Sequence, residues 1–159
     1  NKNMAKKVLI IILVILIFVI LGIYFVVTNQ KNGSMEDKNV LNSFEIEGMK
    51  VDILRQGSGA EAKVGDFVTT HYVGTLQDGT EFDSSVKRNI PYSFQLGQNR
   101  VIRGWDLGVL GMKVGEDRKL TIRFELAYGP DGFPPSIPER ATLTFVINLL
   151  SISPPPPAQ

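Results

Sequence analysis

The amino-acid sequence predicts an α+β fold in which an antiparallel β-sheet wraps around one short α-helix, preceded by a single N-terminal transmembrane helix. Three observations predict this arrangement. Short segments of alternating apolar and polar residues begin near residue 50 and are separated by turn signals, as in antiparallel sheets. One stretch alone, residues 103–110, has apolar residues at helical spacing. An uncharged apolar run occupies residues 8–27.

The apolar run Val8–Val27 is long enough to cross a bilayer. It contains 20 residues, of which 18 are Val, Ile, Leu or Phe. A helix of that length measures about 30 Å, the thickness of the hydrocarbon core. Three lysines precede the run and only Lys31 follows it closely. By the positive-inside rule, the N-terminus lies in the cytoplasm and residues 28–159 lie outside it.

A cleaved secretory signal is the alternative for this segment, because positive residues also precede the apolar core of such signals. That core is shorter, about 7–15 residues, and a site of small residues such as Ala-x-Ala follows it. Here the residues Thr28-Asn29-Gln30-Lys31 follow instead. The sequence therefore favours an uncleaved membrane anchor over a released protein.

Composition divides the chain into five segments. Residues 1–7 are a basic cytoplasmic N-terminus, and residues 8–27 are the membrane helix. Residues 28–47 are polar and lack periodicity, which predicts a flexible stalk outside the fold. Residues 48–153 form the globular domain. Residues 154–159 include four consecutive prolines, which predict a stiff disordered tail or, alternatively, a polyproline docking ligand.

The globular domain is predicted to contain five strands, a hairpin turn, a helix and a long loop. The residues that share one face of each strand are Val51 and Ile53; Val68, Thr70 and Tyr72; Tyr92, Phe94 and Leu96; Leu120, Ile122 and Phe124; and Leu143, Phe145, Ile147 and Leu149. Asp78-Gly79 predicts the turn because both residues tolerate a positive φ. Gly111 ends the helix. Four prolines within 128–140 predict an ordered loop.

Composition also argues against several classes of site. The chain has no cysteine and a single histidine, His71, so thiol catalysis, disulfides, a serine triad and a zinc site lack support. His71 is predicted to be structural. No G-x-G-x-x-G or phosphate-binding loop is present. A net charge of +1 without a basic stripe argues against nucleic acid as a partner. No metal and no cofactor are predicted.

Aromatic side chains are abundant in this domain. They are Tyr72, Phe82, Tyr92, Phe94, Trp105, Phe124, Tyr128, Phe133 and Phe145. Tryptophan and tyrosine carry a polar atom that needs a partner when it is buried. Those residues lie near the proline-rich loop, so two interpretations stay open from the pattern alone. The aromatic residues fill a core, or they line a pocket.

Four motifs in one order and spacing resemble the FKBP family of peptidyl-prolyl cis-trans isomerases. The motifs are Gly79-x-x-Phe82-Asp83-Ser84-Ser85, Val101-Ile102-Arg103-Gly104-Trp105-Asp106, Ala127-Tyr128-Gly129 and Ala141-Thr142-Leu143. The resemblance covers about residues 48–153 and leaves out the anchor, the stalk and the tail. It implies the FKBP-like fold and a cofactor-free enzyme that acts on X-Pro bonds. With the membrane orientation predicted from the lysines, its substrates would be polypeptides folding outside the cytoplasm. A catalytically weak peptide-binding module or chaperone is the alternative.

The resemblance also implies the residues of the site. The catalytic residues would be Tyr72, Asp83, Ile102, Trp105, Tyr128 and Phe145, and the substrate-binding residues would be Phe82, Arg88, Tyr92, Val101, Phe133 and Ile137. Trp105 would form the floor of the pocket and Asp83 the charged rim. The Ile102 N–H and the Tyr128 hydroxyl would donate to bound carbonyls. A macrolide of the FK506 or rapamycin type is the inhibitor that this family's pocket accepts.

The sequence departs from the family pattern in the proline-rich loop. Phe133 stands at a position that varies in the family, and Pro135-Ser136 replaces the usual Gly-aliphatic pair before Ile137. The missing aliphatic side chain predicts an altered substrate preference.

Overall fold

Seven strands form a single antiparallel sheet in the computed structural model, which describes residues 39–154. The strands are β1 (Asn42–Ile46), β2 (Met49–Arg55), β3 (Phe67–Thr75), β4 (Glu81–Ser84), β5 (Tyr92–Gln95), β6 (Asp117–Ile122) and β7 (Leu143–Ser153). Their order is β1-β2-β6-β7-β3-β4, and β5 also pairs with β3. The helices are α1 (Ser85–Arg88) and α2 (Arg103–Val109), with a 3-10 turn at Phe124–Leu126. The predicted antiparallel sheet with little helix is confirmed.

Several predicted segments lie outside the described residues. They are the N-terminus 1–7, the apolar run 8–27, residues 28–38 of the predicted stalk, and residues 155–159 of the tail. Among the helices of residues 39–154, none has the length and apolar character needed to cross a bilayer.

Strands β3 and β7 show the alternation that predicted them. Every second residue of β3 is buried from Val68 to Gly74, and the same pattern runs from Leu143 to Leu149 in β7. The predicted hairpin after β3 is also present, with Gly79 at a φ of +87°. One face of the sheet therefore packs on the hydrophobic core, and the other faces outwards.

Helix α2 lies unusually close to the sheet because two of its residues are glycine. A Cβ atom on Gly108 would lie 2.4 Å from Leu120 Cδ1, and one on Gly104 would lie 2.6 Å from Ile122 Cγ2. Carbon atoms prefer a separation of about 3.5–4.0 Å, so a side chain at either glycine would displace the helix from β6. This close packing sets the depth at which Trp105 is held.

A buried ion pair supports the other end of α2. The Nε of Arg118 lies 2.5 Å from a carboxylate oxygen of Glu116, and both residues are buried. Arg118 Nη1 also donates to the carbonyls of Gly108 at 2.9 Å and Leu110 at 3.1 Å. The last carbonyls of a helix lack intrahelical partners, so Arg118 satisfies groups that would otherwise be buried without a hydrogen bond.

The predicted stalk 28–47 is wrong for its last residues, because Asn42–Ile46 form strand β1. This strand pairs with β2, and Phe44 lies opposite Val51. Four of its five residues are exposed. An edge strand with little burial has no alternating hydrophobic pattern, so its backbone pairing leaves no signal in the sequence.

Smaller corrections concern the ends of elements. Helix α1 was not predicted, because its four residues are too few for a helical period. Helix α2 ends at Val109, one residue before the predicted end. The predicted strand through Phe124 ends at Ile122, and Phe124 lies in the 3-10 turn. There the Arg140 guanidinium stacks 4.2 Å from the centre of the Phe124 ring.

The proline-rich loop is ordered, as predicted. The backbones of Phe133 and Ile137 exchange two hydrogen bonds of 2.9 Å, and the Arg140 N–H donates to the Pro130 carbonyl at 3.1 Å. Gly132 has a φ of +67°, and a Cβ there would lie 2.2 Å from the Pro138 carbonyl oxygen. These contacts fix the loop tip next to Tyr128.

Candidate active site

A cavity of about 480 Å³ opens between the sheet, α2 and the surrounding loops. Its lining residues are Tyr72, Phe82, Asp83, Tyr92, Asn99, Arg100, Val101, Ile102, Trp105, Tyr128 and Phe145. Nine of these eleven residues belong to the predicted site. The sequence motifs missed Asn99 and Arg100.

Trp105, in the first turn of α2, forms the floor of the cavity. It is 4% exposed. The centre of its ring lies 5.0 Å from that of Tyr72 and 5.3 Å from that of Phe145, both nearly perpendicular to it. Edge-to-face contacts of this kind are favourable. The buried indole N–H has no hydrogen-bond partner among the described residues, so the floor offers one unused donor.

Phe82 and Phe145 form one wall, and a glycine makes room for them. Their ring centres lie 5.5 Å apart at 89°. A Cβ on Gly74 would lie 2.8 Å from Phe82 Cζ and 2.9 Å from Phe145 Cε1. Gly74 was not predicted to belong to the site, although a glycine inside a strand often marks a close approach of this kind.

Three side chains meet at the rim of the cavity. The Tyr72 hydroxyl and the Arg88 Nη1 donate short hydrogen bonds to the two carboxylate oxygens of Asp83. Arg88 Nη2 also donates to the Tyr72 hydroxyl oxygen at 3.1 Å. The side chain of Asp83 is 38% exposed. The predicted orientation of Asp83 by Tyr72 and its pairing with Arg88 are present in the structure.

The rim network fixes the protonation state of its members. Burial raises the pKa of the Asp83 carboxyl, but the hydrogen bonds from Tyr72 and Arg88 outweigh burial and hold that pKa below its ordinary value. Burial and then the hydrogen bond to Asp83 raise the pKa of Tyr72 to about 12, although Arg88 opposes the shift. At neutral pH, Asp83 is therefore ionised and Tyr72 remains a donor.

Two further donors face the cavity without a protein partner. The Tyr128 hydroxyl and the Ile102 backbone N–H donate to no other described residue. Burial and then the negative charge of Asp83 raise the pKa of Tyr128, so its hydroxyl keeps its proton at neutral pH. Both groups are available to donate to a carbonyl bound in the cavity.

The loop before α2 is held by Asp106. Its carboxylate accepts the Gly97 N–H at 2.8 Å and the Asn99 N–H at 3.1 Å. Asn99 has a φ of +54°, a conformation that asparagine tolerates better than most residues. These bonds bring Asn99 and Arg100 to the cavity. Neither residue belongs to an alternating hydrophobic segment, so periodicity could not predict that they line the cavity. The only available signal was Asp106, an aspartate in α2 that can order the preceding loop.

Three residues of the predicted site do not line the cavity. Arg88 contacts it only through Asp83 and Tyr72. Phe133 is 62% exposed, and its ring centre lies 5.8 Å from that of Tyr128 at the outer edge. Ile137 is 3% exposed and packs in the hydrophobic core. Ile137 is not among the residues that line the cavity, and its predicted role as a wall stays a prediction.

His71 also lies away from the cavity lining. Its Nδ1 lies 2.9 Å from Ser85 Oγ, which accepts the Tyr72 N–H at 2.7 Å. His71 therefore orders the junction of β3 and α1, in line with the predicted structural role. In residues 39–154, no group of three side chains suited to a metal ion is present.

The sheet, the short helix and the aromatic cavity define a small α+β domain with one largely apolar cavity edged by hydrogen-bond donors. A family model for FKBP-type peptidyl-prolyl cis-trans isomerases matches residues 59–150. The chain is 50% identical over 107 residues to FK506-binding protein 1 of Rhizopus delemar, an alignment that covers 67% of this chain and 99% of that one.

Two further comparisons agree. The chain is 54% identical over 92 residues to peptidyl-prolyl cis-trans isomerase FKBP2 of Homo sapiens, covering 58% of this chain and 65% of the relative. The crystal structure of FkpA from Escherichia coli matches 76% of this chain and 55% of its own, with a TM-score of 0.67 and 40% identity. The chain belongs to the FKBP-type peptidyl-prolyl cis-trans isomerase family and is an isomerase of that type.

Proposed function

We propose that the aromatic cavity is the active site, and that it accelerates rotation about X-Pro bonds in protein segments folding outside the cytoplasm. The observation that carries this proposal is the combination of an apolar floor at Trp105 with two unpaired donors at Ile102 and Tyr128. A proline ring on the floor places its flanking carbonyls beside these donors.

The chemistry needs no proton transfer and no covalent intermediate. Rotation about the amide bond has a barrier of about 18–20 kcal/mol because it breaks the resonance of the amide. The planar amide is strongly dipolar and well hydrated, whereas the twisted amide has lost resonance and has a less polar carbonyl. An apolar cavity therefore disfavours the planar state more than the twisted state, which lowers the barrier.

The donors hold the peptide while the bond turns. The Tyr128 hydroxyl and the Ile102 N–H fix two carbonyls, so that rotation is confined to the bond between them. Asp83 is ionised and paired with Arg88, so the rim presents an oriented dipole to the amide rather than a free charge. Each 1.36 kcal/mol of preference for the twisted state gives about a tenfold rate increase.

An exchange assay with the full chain in detergent tests this proposal. We expect the protein to accelerate cis-trans exchange in a short X-Pro peptide, measured by NMR exchange spectroscopy. The alternative is a peptide-binding module or chaperone that uses the same cavity. Saturable binding of the peptide without acceleration of its exchange would favour that alternative.

We also propose that residues 8–27 anchor the isomerase in a membrane, with residues 1–7 in the cytoplasm and the catalytic domain outside it. The uncharged run and the lysines before it support this location. In sealed membrane vesicles of known orientation, we expect protease to digest the domain only from the extracytoplasmic side. Recovery of the domain in the soluble fraction after cleavage behind Val27 would favour a secreted protein instead.

A third proposal concerns ligands. FK506-type macrolides are expected to occupy the same cavity and to compete with proline-containing peptides. The similarity to proteins named FK506-binding protein 1 supports this expectation. Competition is measured by the loss of exchange activity as the macrolide is added.

A further inference from the structure

The cavity wall carries a positive charge that the proposed mechanism does not use. Of the described residues that line the cavity, two are charged, Asp83 and Arg100. The charge of Asp83 is paired with Arg88. Arg100 is exposed and has no hydrogen bond, ion pair or ring contact with any residue from 39 to 154. The cavity mouth therefore has one unneutralised cation.

The backbone on both sides of Arg100 is fixed. The Asp106 carboxylate holds the N–H of Asn99 at 3.1 Å, and Val101 and Ile102 lead directly into α2. Only the side chain of Arg100 is free to adjust. An arginine placed in this way can meet a carboxylate through two parallel hydrogen bonds.

The position of Arg100 places it beside a bound peptide. It lies two residues before Ile102, whose N–H is the proposed donor to a substrate carbonyl. An extended peptide advances roughly 3.3–3.6 Å per residue. A side chain one or two residues from the bonded carbonyl therefore comes within the range of a flexible arginine.

We propose that Arg100 is a specificity residue that recognises an acidic side chain next to the isomerised X-Pro bond. The preferred substrates are accordingly proline-containing segments with Asp or Glu within two residues of the proline. This inference rests on the proposed use of the cavity as the active site. Because Arg100 is exposed, the preference is modest, about two- to fivefold, as for exposed ion pairs, and salt weakens it.

Peptides that differ in one charge test the inference. A common X-Pro core carries Glu, Gln or Lys at each of the two positions before and after it, and kcat/KM is measured with the full chain in detergent. We expect the ratio of kcat/KM for Glu to that for Gln to exceed one at one or more of these positions. That ratio should fall as the salt concentration rises.

Three variants connect the ratio to Arg100. Arg100→Gln should bring the Glu-to-Gln ratio to one, and Arg100→Glu should transfer the preference to the Lys peptides. Lys113→Gln removes the same charge from an exposed residue outside the cavity lining, and it should keep the wild-type ratio.

Two results would overturn the inference. One is a Glu-to-Gln ratio of one in the wild-type chain at every position. The other is a ratio that survives Arg100→Gln. Failure of the neutral Gln peptide to be isomerised at all would instead contradict the proposed function, so the two proposals fail in distinguishable ways.

Discussion

At the cavity rim, each of three side chains determines the state of another. Tyr72 and Arg88 hold Asp83 ionised, and burial together with the hydrogen bond to Asp83 raises the pKa of Tyr72 and keeps its proton in place. A carboxylate that accepts from two donors has a fixed direction as well as a fixed charge. The rim therefore presents an oriented dipole in a site that contains neither histidine nor a metal ligand set within the described residues.

The variant Tyr128→Phe should lower activity while leaving the stability of the fold nearly unchanged. The Tyr128 hydroxyl has no partner among residues 39–154, so its loss should change the free energy of unfolding by less than about 0.5 kcal/mol. If the hydroxyl donates to the substrate as the bond twists, kcat/KM should fall about tenfold, the effect of 1.4 kcal/mol. Peptide exchange and urea denaturation measure the two effects. Similar losses of activity and stability would show that Tyr128 is structural.

The raised pKa of Tyr72 predicts that the protein loses stability at high pH. Its pKa is about 12 in the folded chain, above the ordinary tyrosine value of 10.0 that applies when the chain is unfolded. Because the folded state binds this proton more tightly, the stabilisation is complete below pH 10 and is lost as the pH rises to about 12. The difference in unfolding free energy between wild type and Tyr72→Phe should therefore shrink over this interval. A constant difference in urea denaturation would contradict the assigned pKa.

Among the elements, α2 is fixed by contacts at both ends. Its N-terminal half supplies Trp105 to the cavity floor, and the loop before it supplies Ile102. Its glycines set the distance to β6, and Arg118 satisfies its last carbonyls. The position of the floor thus depends on residues that never touch the substrate.

The buried ion pair behind α2 should be costly to break from one side. Arg118→Leu leaves Glu116 buried with only the Lys113 N–H as a partner, at 3.1 Å. Removing one member of a buried pair costs about 3–5 kcal/mol. The double variant Glu116→Gln/Arg118→Leu should lose less than the sum of its single changes, because no buried charge remains. Urea denaturation checks this, and additive losses would argue against the pairing.

Gly108→Ala should destabilise the protein although alanine is the better helix former. Alanine gains about 1 kcal/mol in helix propensity, but its Cβ would lie 2.4 Å from Leu120 Cδ1. Such overpacking costs typically about 1–3 kcal/mol. We expect a net loss in unfolding free energy, partly recovered by Leu120→Val in the same chain. A stabilised Gly108→Ala variant would show that α2 can move away from β6 freely.

For the whole molecule, the strands with one buried face could be predicted from the sequence, whereas the edge strand β1 could not. Strands β3 and β7 have one face in the core, so burial imposes an alternating pattern on the sequence. Strand β1 is held by backbone pairing at an edge, and backbone pairing leaves no side-chain pattern. Sequence periodicity therefore predicts strands that bury one face, and it does not predict strands that are held by backbone hydrogen bonds alone.

The cavity residues likewise divide into those that could be predicted from the sequence and those that could not. The family resemblance placed all six of its aromatic lining residues in the site, although only Phe82, Trp105 and Tyr128 stand in the motifs themselves. Asn99 and Arg100 are exposed polar residues, and they reach the cavity only because Asp106 holds their loop from α2. Ile137, which the resemblance placed in the wall, packs in the hydrophobic core and is not among the cavity-lining residues. Contacts between loop backbone and distant side chains are not encoded in local spacing.

Occupation of the cavity should stabilise the entire domain. A ligand that binds only the folded state adds about 2.7 kcal/mol to its stability at a concentration of about one hundred times Kd. An FK506-type macrolide should therefore raise the midpoint of thermal unfolding in a concentration-dependent way. A Trp105→Ala variant lacks the cavity floor and should show a much smaller increase. An equal increase in this variant would place the ligand elsewhere.

Strand β1 also has a consequence for self-association. It covers the outer edge of β2, whose residues Met49, Val51 and Ile53 are all buried. A chain that began at residue 48 would leave the backbone N–H and C=O groups of β2 open at the edge of an apolar strand. Such edges pair with those of other molecules. Because β1 pairs with β2 and is itself mostly exposed, we expect a chain that keeps Asn42–Ile46 to self-associate less than one that begins at residue 48.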